Sequence, residues 1–301
     1  MNREDDRLRR IWFIATAVVA AVFVTIAITG FRDGNRRDDD LEVVVVLKAT
    51  SPQMEFWQVV RQGIEAAARE YAVSASVVGP WLEHQIDDQI RILRTVIADE
   101  PDGIVLVAAD FNRLAPVVEE ALARDIAIVT VDSDVDGDRA LSFVGTNNVE
   151  AGRRAGEVMR GLVGPDATVA VVSHVPEAAT AIEREAGAME ALANREGGLT
   201  IGPLYAFNDE QTARRIVIEL LEEHGRIDGI VALNETSTVG VARTVEELGL
   251  AGQIRIVGFD ASTEEIALLE RRVVDALVVQ KPFNMGYLSM DVIARAIRGS
   301  T

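Results

Sequence analysis

Four polar side chains stand where apolar runs stop. Asp132 follows the run 126–131, Asn234 follows 230–233, Asp260 follows 254–259 and Gln280 follows 275–279. Short apolar runs bounded by polar turns suit parallel strands covered on both faces. In an open parallel sheet, ligands bind beyond the carboxyl ends of the strands. Ionised carboxylates accept hydrogen bonds, and amides both donate and accept. Brought into one cleft, these four groups would grip a small polar molecule. Each also has a plainer reading. Asp260 could serve the helix opening at Ser262-Thr-Glu-Glu265, although that segment carries its own capping-box pattern. Asp132 could belong to the solvated turn Asp132-Ser-Asp134. Asn234 could cap the next helix, a task open to Thr236 and Ser237 as well. Gln280, just before Lys281-Pro282, could be hinge and nothing more.

The elements that would position them alternate along the chain. Strands are expected over 42–47, 73–78, 103–108, 126–131, 141–144, 168–172, 199–205, 230–233, 254–259 and 275–279. Helical spacing marks 59–68, 86–97, 114–122, 151–162, 178–193, 209–222, 236–248 and 264–269. Such alternation implies parallel sheets with helices on both faces and right-handed crossovers. The pattern restarts near Thr146-Asn-Asn148, which divides the chain into two α/β halves alike in rhythm, with no repeat at the level of residues.

The 301 residues, 49% of them apolar, can bury a core without crosslinks. Cysteine is absent, which removes disulfides, thiolate nucleophiles and cysteine-held metals. A net charge of -18 repels phosphate backbones, so nucleic acid is not an expected partner. No phosphate-cradling glycine loop, serine elbow or zinc-binding helix occurs, and no cofactor or metal is expected. His84, His174 and His224 are isolated, and each reads as a surface or polar-loop histidine. Carboxylates 132 and 260 could flank a substrate as glycosidase acids do, but strand-end ligands explain them equally well.

Residues 1–10 are basic, and 11–31 form an apolar stretch long enough to span a bilayer. The stretch is long for a cleaved signal peptide and lacks a clear small-x-small cleavage site. An uncleaved signal anchor is therefore favoured over a cleaved signal. Segment 32–40 is charged and reads as a tether, with the body of the chain outside the cytoplasm.

The ordered set Asp102-Gly-Ile, Val131-Asp132, Gly145-Thr-Asn-Asn148, Arg184-Glu-Ala-Gly187, Leu233-Asn234-Glu235 and Val257-Gly-Phe-Asp260 resembles the ribose- and galactose-binding type of periplasmic sugar-binding protein over roughly residues 41–298. The resemblance implies the type I periplasmic-binding-protein fold: α/β, two doubly wound parallel-sheet lobes joined by a hinge, here preceded by a transmembrane helix. Lobe 1 would comprise 41–145 plus 281–301, and lobe 2 would comprise 146–280. It implies sugar contacts from Phe56, Trp57, Asp132, Arg184, Phe207, Asn234, Asp260 and Gln280. Phe56 and Trp57 are adjacent, so one is expected in the core and the other against ligand. Arg184 could instead pair with Glu183 or Glu185 on a solvated helix face. The chain departs from the family at Ser133, where arginine is common, and at Lys48, where a small polar residue is usual. Its loop 49–55 is longer, and Met54-Glu55 replaces an asparagine before the aromatic pair. The chain also stops at Gly299-Ser-Thr301, where the family has further residues that cross the hinge again. The resemblance implies a non-enzymatic receptor that closes over a monosaccharide or polyol. Its partner would be an ABC importer permease or, as an alternative, a membrane sensor such as a histidine kinase or chemoreceptor.

Overall fold

The structure, a computed structural model, describes residues 41–299 apart from 53, 138, 194 and 196. The expected anchor and tether lie outside the described residues. Among the described residues no helix is long and apolar enough to cross a membrane.

Short runs of β-branched residues give two five-stranded sheets. The first contains β1 (Leu41–Val46), β2 (Val73–Val78), β3 (Gly103–Leu106), β4 (Ala127–Val131) and β5 (Ser142–Val144), in the order β2-β1-β3-β4-β5. The second contains β6 (Thr168–Ser173), β7 (Leu199–Tyr205), β8 (Gly229–Ala232), β9 (Arg255–Phe259) and β10 (Ala276–Val278), in the order β7-β6-β8-β9-β10. The two orders are the same, and the strand pairs with a defined register are parallel. The central strands β3 and β8 are buried throughout, as apolar runs sandwiched by helices must be.

The helices are α1 (Glu55–Glu70), α2 (Ile86–Ala98), α3 (Ala115–Leu122), α4 (Asn148–Leu162), α5 (Ala179–Ala193), α6 (Glu210–His224), α7 (Glu235–Glu247), α8 (Thr263–Glu270) and α9 (Pro282–Ile297). The last was not expected from the sequence. It opens on Pro282, which suits a first helical turn, and it buries Met285, Ser289, Met290, Ile293 and Ala294. The interleaved glycine, asparagine and serine dilute that apolar stripe.

The chain crosses between sheets twice. After β5 it enters α4, which packs on the second sheet, and after β10 it enters α9, which packs against α1 and the first sheet. The two crossings touch where Thr146 Oγ1 donates to Gln280 Oε1 at 2.9 Å. Helices α1 and α9 meet through Gly63 and Gly286, and α4 and α5 meet through Gly152 and Gly187. At each of these glycines a Cβ would overlap a carbonyl of the opposite helix.

A residue-level repeat, which the sequence reading did not find, does exist. Asp102-Gly-Ile-Val opens β3 and Asp228-Gly-Ile-Val opens β8. Asp102 accepts from Glu42 N at 2.7 Å, and Asp228 accepts from Thr168 N at 2.9 Å, so each aspartate ties off the first strand of its own sheet.

Candidate functional site

The carboxyl ends of both sheets face one cavity, lined by Lys48, Met54, Phe56, Trp57, Glu83, Asp132, His174, Thr180, Arg184, Asn234, Asp260 and Gln280. Seven of the eight side chains expected from the sequence are among them. Asp132 and Asp260 stand at equivalent places. Each follows the fourth strand of its sheet, with positive φ of 61° and 81°. Each donates its N–H at 3.0 Å to the last residue of the neighbouring edge strand, Val144 or Val278. Aspartate tolerates this left-handed conformation better than bulkier residues do, and the bend carries the side chain off the strand line. Both are buried, at 3% and 7% exposure, so Asp132 is no solvated turn residue.

Asp260 is held on both sides. Its Oδ1 accepts from Gln280 Nε2 at 2.6 Å, and its Oδ2 accepts from Glu235 N at 3.1 Å. Burial raises its pKa, partly offset by Arg184 and Gln280. Capping of α8 is left to the Ser262 and Glu265 capping box, as the sequence pattern predicts. Asn234 does cap its helix, accepting from Ser237 N at 3.2 Å. Its amide nitrogen is still free to donate to Asn208 at 2.6 Å.

Arg184 is buried rather than paired on a solvated helix face. Its Nε donates to Asn148 Oδ1 at 2.9 Å, Nη1 to Leu233 O at 2.9 Å and Nη2 to Gln280 Oε1 at 3.0 Å. The guanidinium also stacks over the Phe259 ring, 4.7 Å from its centre. The adjacent aromatics do not divide as expected. Phe56 and Trp57 both line the cavity and both are buried, their rings edge-to-face at 4.9 Å.

Phe207 is the exception. It is 45% exposed, packs beside Tyr205 and does not line the cavity. Phe207 and Asn208 both have positive φ. The turn sends Phe207 outward and Asn208 inward, where its amide nitrogen donates to Glu83.

The sequence reading missed the centre of the site. Lys48, noted there only as a departure from the family, places Nζ 3.0 Å from Glu83 Oε1, 3.2 Å from Asp132 Oδ2 and 3.4 Å from Thr180 Oγ1. Burial works against its charge, but Glu83 and Asp132 outweigh burial and hold its pKa above the usual lysine value. His174 is no surface residue, being 2% exposed. Burial, with Lys48 and Arg184 nearby, pushes its pKa well below the ordinary value, so the ring is neutral. Its Nε2 lies 3.0 Å from Thr180 Oγ1. Thr180 thus links Lys48, from which it accepts, to the neutral imidazole. Neither His174 Nδ1 nor Trp57 Nε1 bonds to protein. Glu83 lies in an irregular loop and carried no pattern. The signal for His174 was its place directly after β6, which matches that of Lys48 after β1.

The remaining free volume is about 20 Å³, room for little more than water. Contacts around the rim close the way in. Phe111 N donates to Glu177 O at 2.7 Å, Asn208 reaches Glu83, and Thr263 N donates to Glu55 Oε2 at 2.9 Å. Entry of a larger molecule requires the two sheets to part. No group of side chains among the described residues is arranged to hold a metal ion.

Residues 43–301 match the periplasmic binding protein domain family. A D-ribose/D-allose-binding protein of Pseudomonas aeruginosa is 27% identical over 72% of this chain and 70% of its own length. The D-allose-binding periplasmic protein of Escherichia coli is 25% identical over 85% of this chain and 84% of its own. Among solved structures, the periplasmic component of an ABC-type sugar transport system from Hahella chejuensis superposes with a TM-score of 0.82 at 30% identity, covering 86% of this chain and 94% of that one. A solute-binding protein from Agrobacterium vitis with bound D-fucose gives 0.83 at 27% identity, covering 86% and 90%. These relatives are binding proteins of sugar transport systems, not enzymes. With two parallel-sheet lobes facing one polar cavity, this chain belongs to the periplasmic binding protein family, in its type I, sugar-binding branch.

Proposed function

We propose that the chain is an extracytoplasmic receptor that closes over one neutral monosaccharide or polyol and presents it to an ABC importer. The observation that carries this reading is the meeting of Asp132 and Asp260, from equivalent strand ends of different sheets, in one buried cavity. Acceptors come from both aspartates, donors from Arg184, Lys48 and Trp57 Nε1, and both kinds from Asn234 and Gln280, while His174 Nδ1 donates or accepts according to its tautomer. Hydroxyls can satisfy all of them. Phe56 and Trp57 supply apolar faces for the C–H side of a sugar ring. Three carboxylates against two cations in the lining favour a neutral ligand over a sugar acid.

Lobe 1 comprises 41–145 with 281–301, and lobe 2 comprises 146–280. The hinge lies at the crossings near Asn147-Asn148 and Gln280-Lys281. A ligand that touches both lobes favours the closed state by its difference in affinity for the two states. Segment 11–31 anchors the chain, and the tether 32–40 keeps the receptor beside its permease, raising its effective concentration.

A thermal-shift screen of the full-length chain against D-ribose, D-allose, D-arabinose, D-fucose, polyols, nucleosides and D-galacturonate tests the ligand class. Stabilisation by a neutral sugar or polyol is expected. Stabilisation by the uronate alone, or by nothing in the panel, contradicts the reading. Membrane fractionation tests the anchor: the full chain should pellet, and deletion of residues 1–40 should release it. A full chain found in the soluble fraction refutes the anchor.

A further inference from the structure

Helix α1 begins without a cap of its own. Its N-cap residue is Met54, whose side chain accepts nothing, so the first N–H groups of the helix need acceptors from elsewhere. They find them on the opposite lobe, where Glu235 Oε1 accepts from Glu55 N at 3.0 Å and Oε2 accepts from Phe56 N at 3.1 Å. The favour is returned. Glu55 Oε2 accepts from Thr263 N at 2.9 Å and Oε1 from the Thr263 hydroxyl at 3.2 Å, at the start of α8 in lobe 2. Glu235 N in turn donates to Asp260 at 3.1 Å. Three helix starts, α1, α7 and α8, are thus joined by carboxylates that span the cleft. A carboxylate at a helix start is stabilised by the N–H groups and by the helix dipole.

We propose that Glu55 and Glu235 form a reciprocal capping latch that holds the lobes closed, positions Phe56 and Trp57 against the cavity, and makes closure depend on pH. The inference rests on the reading above that the lobes part and close. Neither carboxylate lines the cavity at Asp132, and both line an adjoining one of about 200 Å³ that shares Phe56, Asp260 and Gln280 with it. They act there through the N–H groups they hold and are positioning residues.

The pH dependence follows from what surrounds Glu235. The groups facing it are Glu55 on α1, Asp260 after β9 and Glu265 on α8. Burial is the largest influence, and Asp260 and Glu55 add to it. Together they outweigh the two N–H bonds and push Glu235 from its ordinary 4.5 up to about 7. In the parted state Glu235 loses Glu55 and the burial that α1 provides, while Asp260 and Glu265 stay beside it within lobe 2. With burial, the largest influence, relieved, its pKa falls back toward the ordinary value. Closing therefore takes up a proton. The closed form is favoured as pH falls through about 7 and loses that advantage as pH rises above it. From pH 6 to pH 8 the closed-to-open ratio should fall about tenfold.

The chain has no cysteine, so spin labels can be placed on E65C in α1 and E219C in α6, both exposed positions. Inter-label distances are then measured on the full-length chain with no sugar present. The expected result is a closed-distance population that shrinks from pH 6 to pH 8. E55A/E235A should shift to long distances at both pH values. E235Q, which keeps one acceptor and cannot ionise, should keep the closed population and lose the pH response. Should the double variant not fold, E55A alone carries the test, because Glu55 is exposed and, among the described residues, its carboxylate accepts from Thr263. Wild-type distances in E55A, or a pH response surviving in E235Q, would overturn the latch. Because no sugar is used, failure of the ligand screen and failure of the latch are read separately.

Discussion

In the first lobe the chain leaves its first strand at Leu47-Lys48, and in the second it leaves at Ser173-His174. The two places are equivalent, since Val107 N donates to Val46 O and Leu233 N donates to Val172 O, each at 2.9 Å. Helices α1 and α5 correspond as well. Gly63 and Gly187 contact the paired helices in the same way, which sets Phe56 against Thr180 and Val60 against Arg184. Among the cavity-lining residues, the aspartates 132 and 260 are the equivalent pair that is the same in both lobes. Lobe 1 therefore brings an ammonium and two aromatic rings, and lobe 2 brings a guanidinium, a hydroxyl and a neutral imidazole. One backbone plan used twice yields two different walls, and a ring with one apolar face and a polar rim fits between such walls. The difference also has a cost to stability. Lys48 must balance Glu83 and Asp132 within buried surroundings, whereas His174 escapes that cost by staying neutral.

The sharpest way to break the comparison is to remove the cation of either wall. R184A takes this donor from Asn148 Oδ1 and Leu233 O and leaves Gln280 Oε1 with Thr146. It should cost about 3–5 kcal/mol in chemical denaturation and abolish sugar-induced stabilisation. K48M leaves Glu83 and Asp132 facing each other unpaired, and a loss of about 3 kcal/mol is expected, measured the same way. H174A should cost less, about 1 kcal/mol, because it removes one neutral hydrogen bond. Equal losses for K48M and H174A would show that charge is not what separates the walls. The glycine crossings make a finer probe. G63A and G187A both force helices apart and should each cost about 1–3 kcal/mol. G187A acts one turn from Arg184 and should weaken sugar binding more than its stability loss explains. F207A stands at the bottom of the scale. It should change stability by less than about 0.5 kcal/mol and leave binding intact, and weakened binding would place this ring in the site after all.

Much of the arrangement was legible in the sequence, and the reasons differ by residue. Asp132, Asn234, Asp260 and Gln280 could be read because buried parallel strands announce their own ends by hydrophobicity. Arg184 came from a motif shared with relatives, not from any periodicity, and its burial was hidden by the flanking Glu183 and Glu185. Lys48 was visible as an oddity, but nothing local says that a lysine will sit between two acids from distant loops. Glu83 belongs to an irregular segment, so only the folded chain shows where it points. Phe207 lies outside the cavity because two successive left-handed residues turn it outward and the next residue, Asn208, inward. For Asn234, capping and a place in the cleft were weighed as rivals, whereas its oxygen caps α7 while the side chain still lines the cavity with its nitrogen donating to Asn208.

Isothermal titration of the full-length chain with D-ribose, D-allose, D-arabinose and D-fucose, repeated on D132A and D260A, tests the central claim most directly. One site per chain for at least one of these sugars, lost in both variants while their circular dichroism remains native, is the predicted result. Undiminished binding in either variant would mean that the two strand-end acids do not serve one ligand.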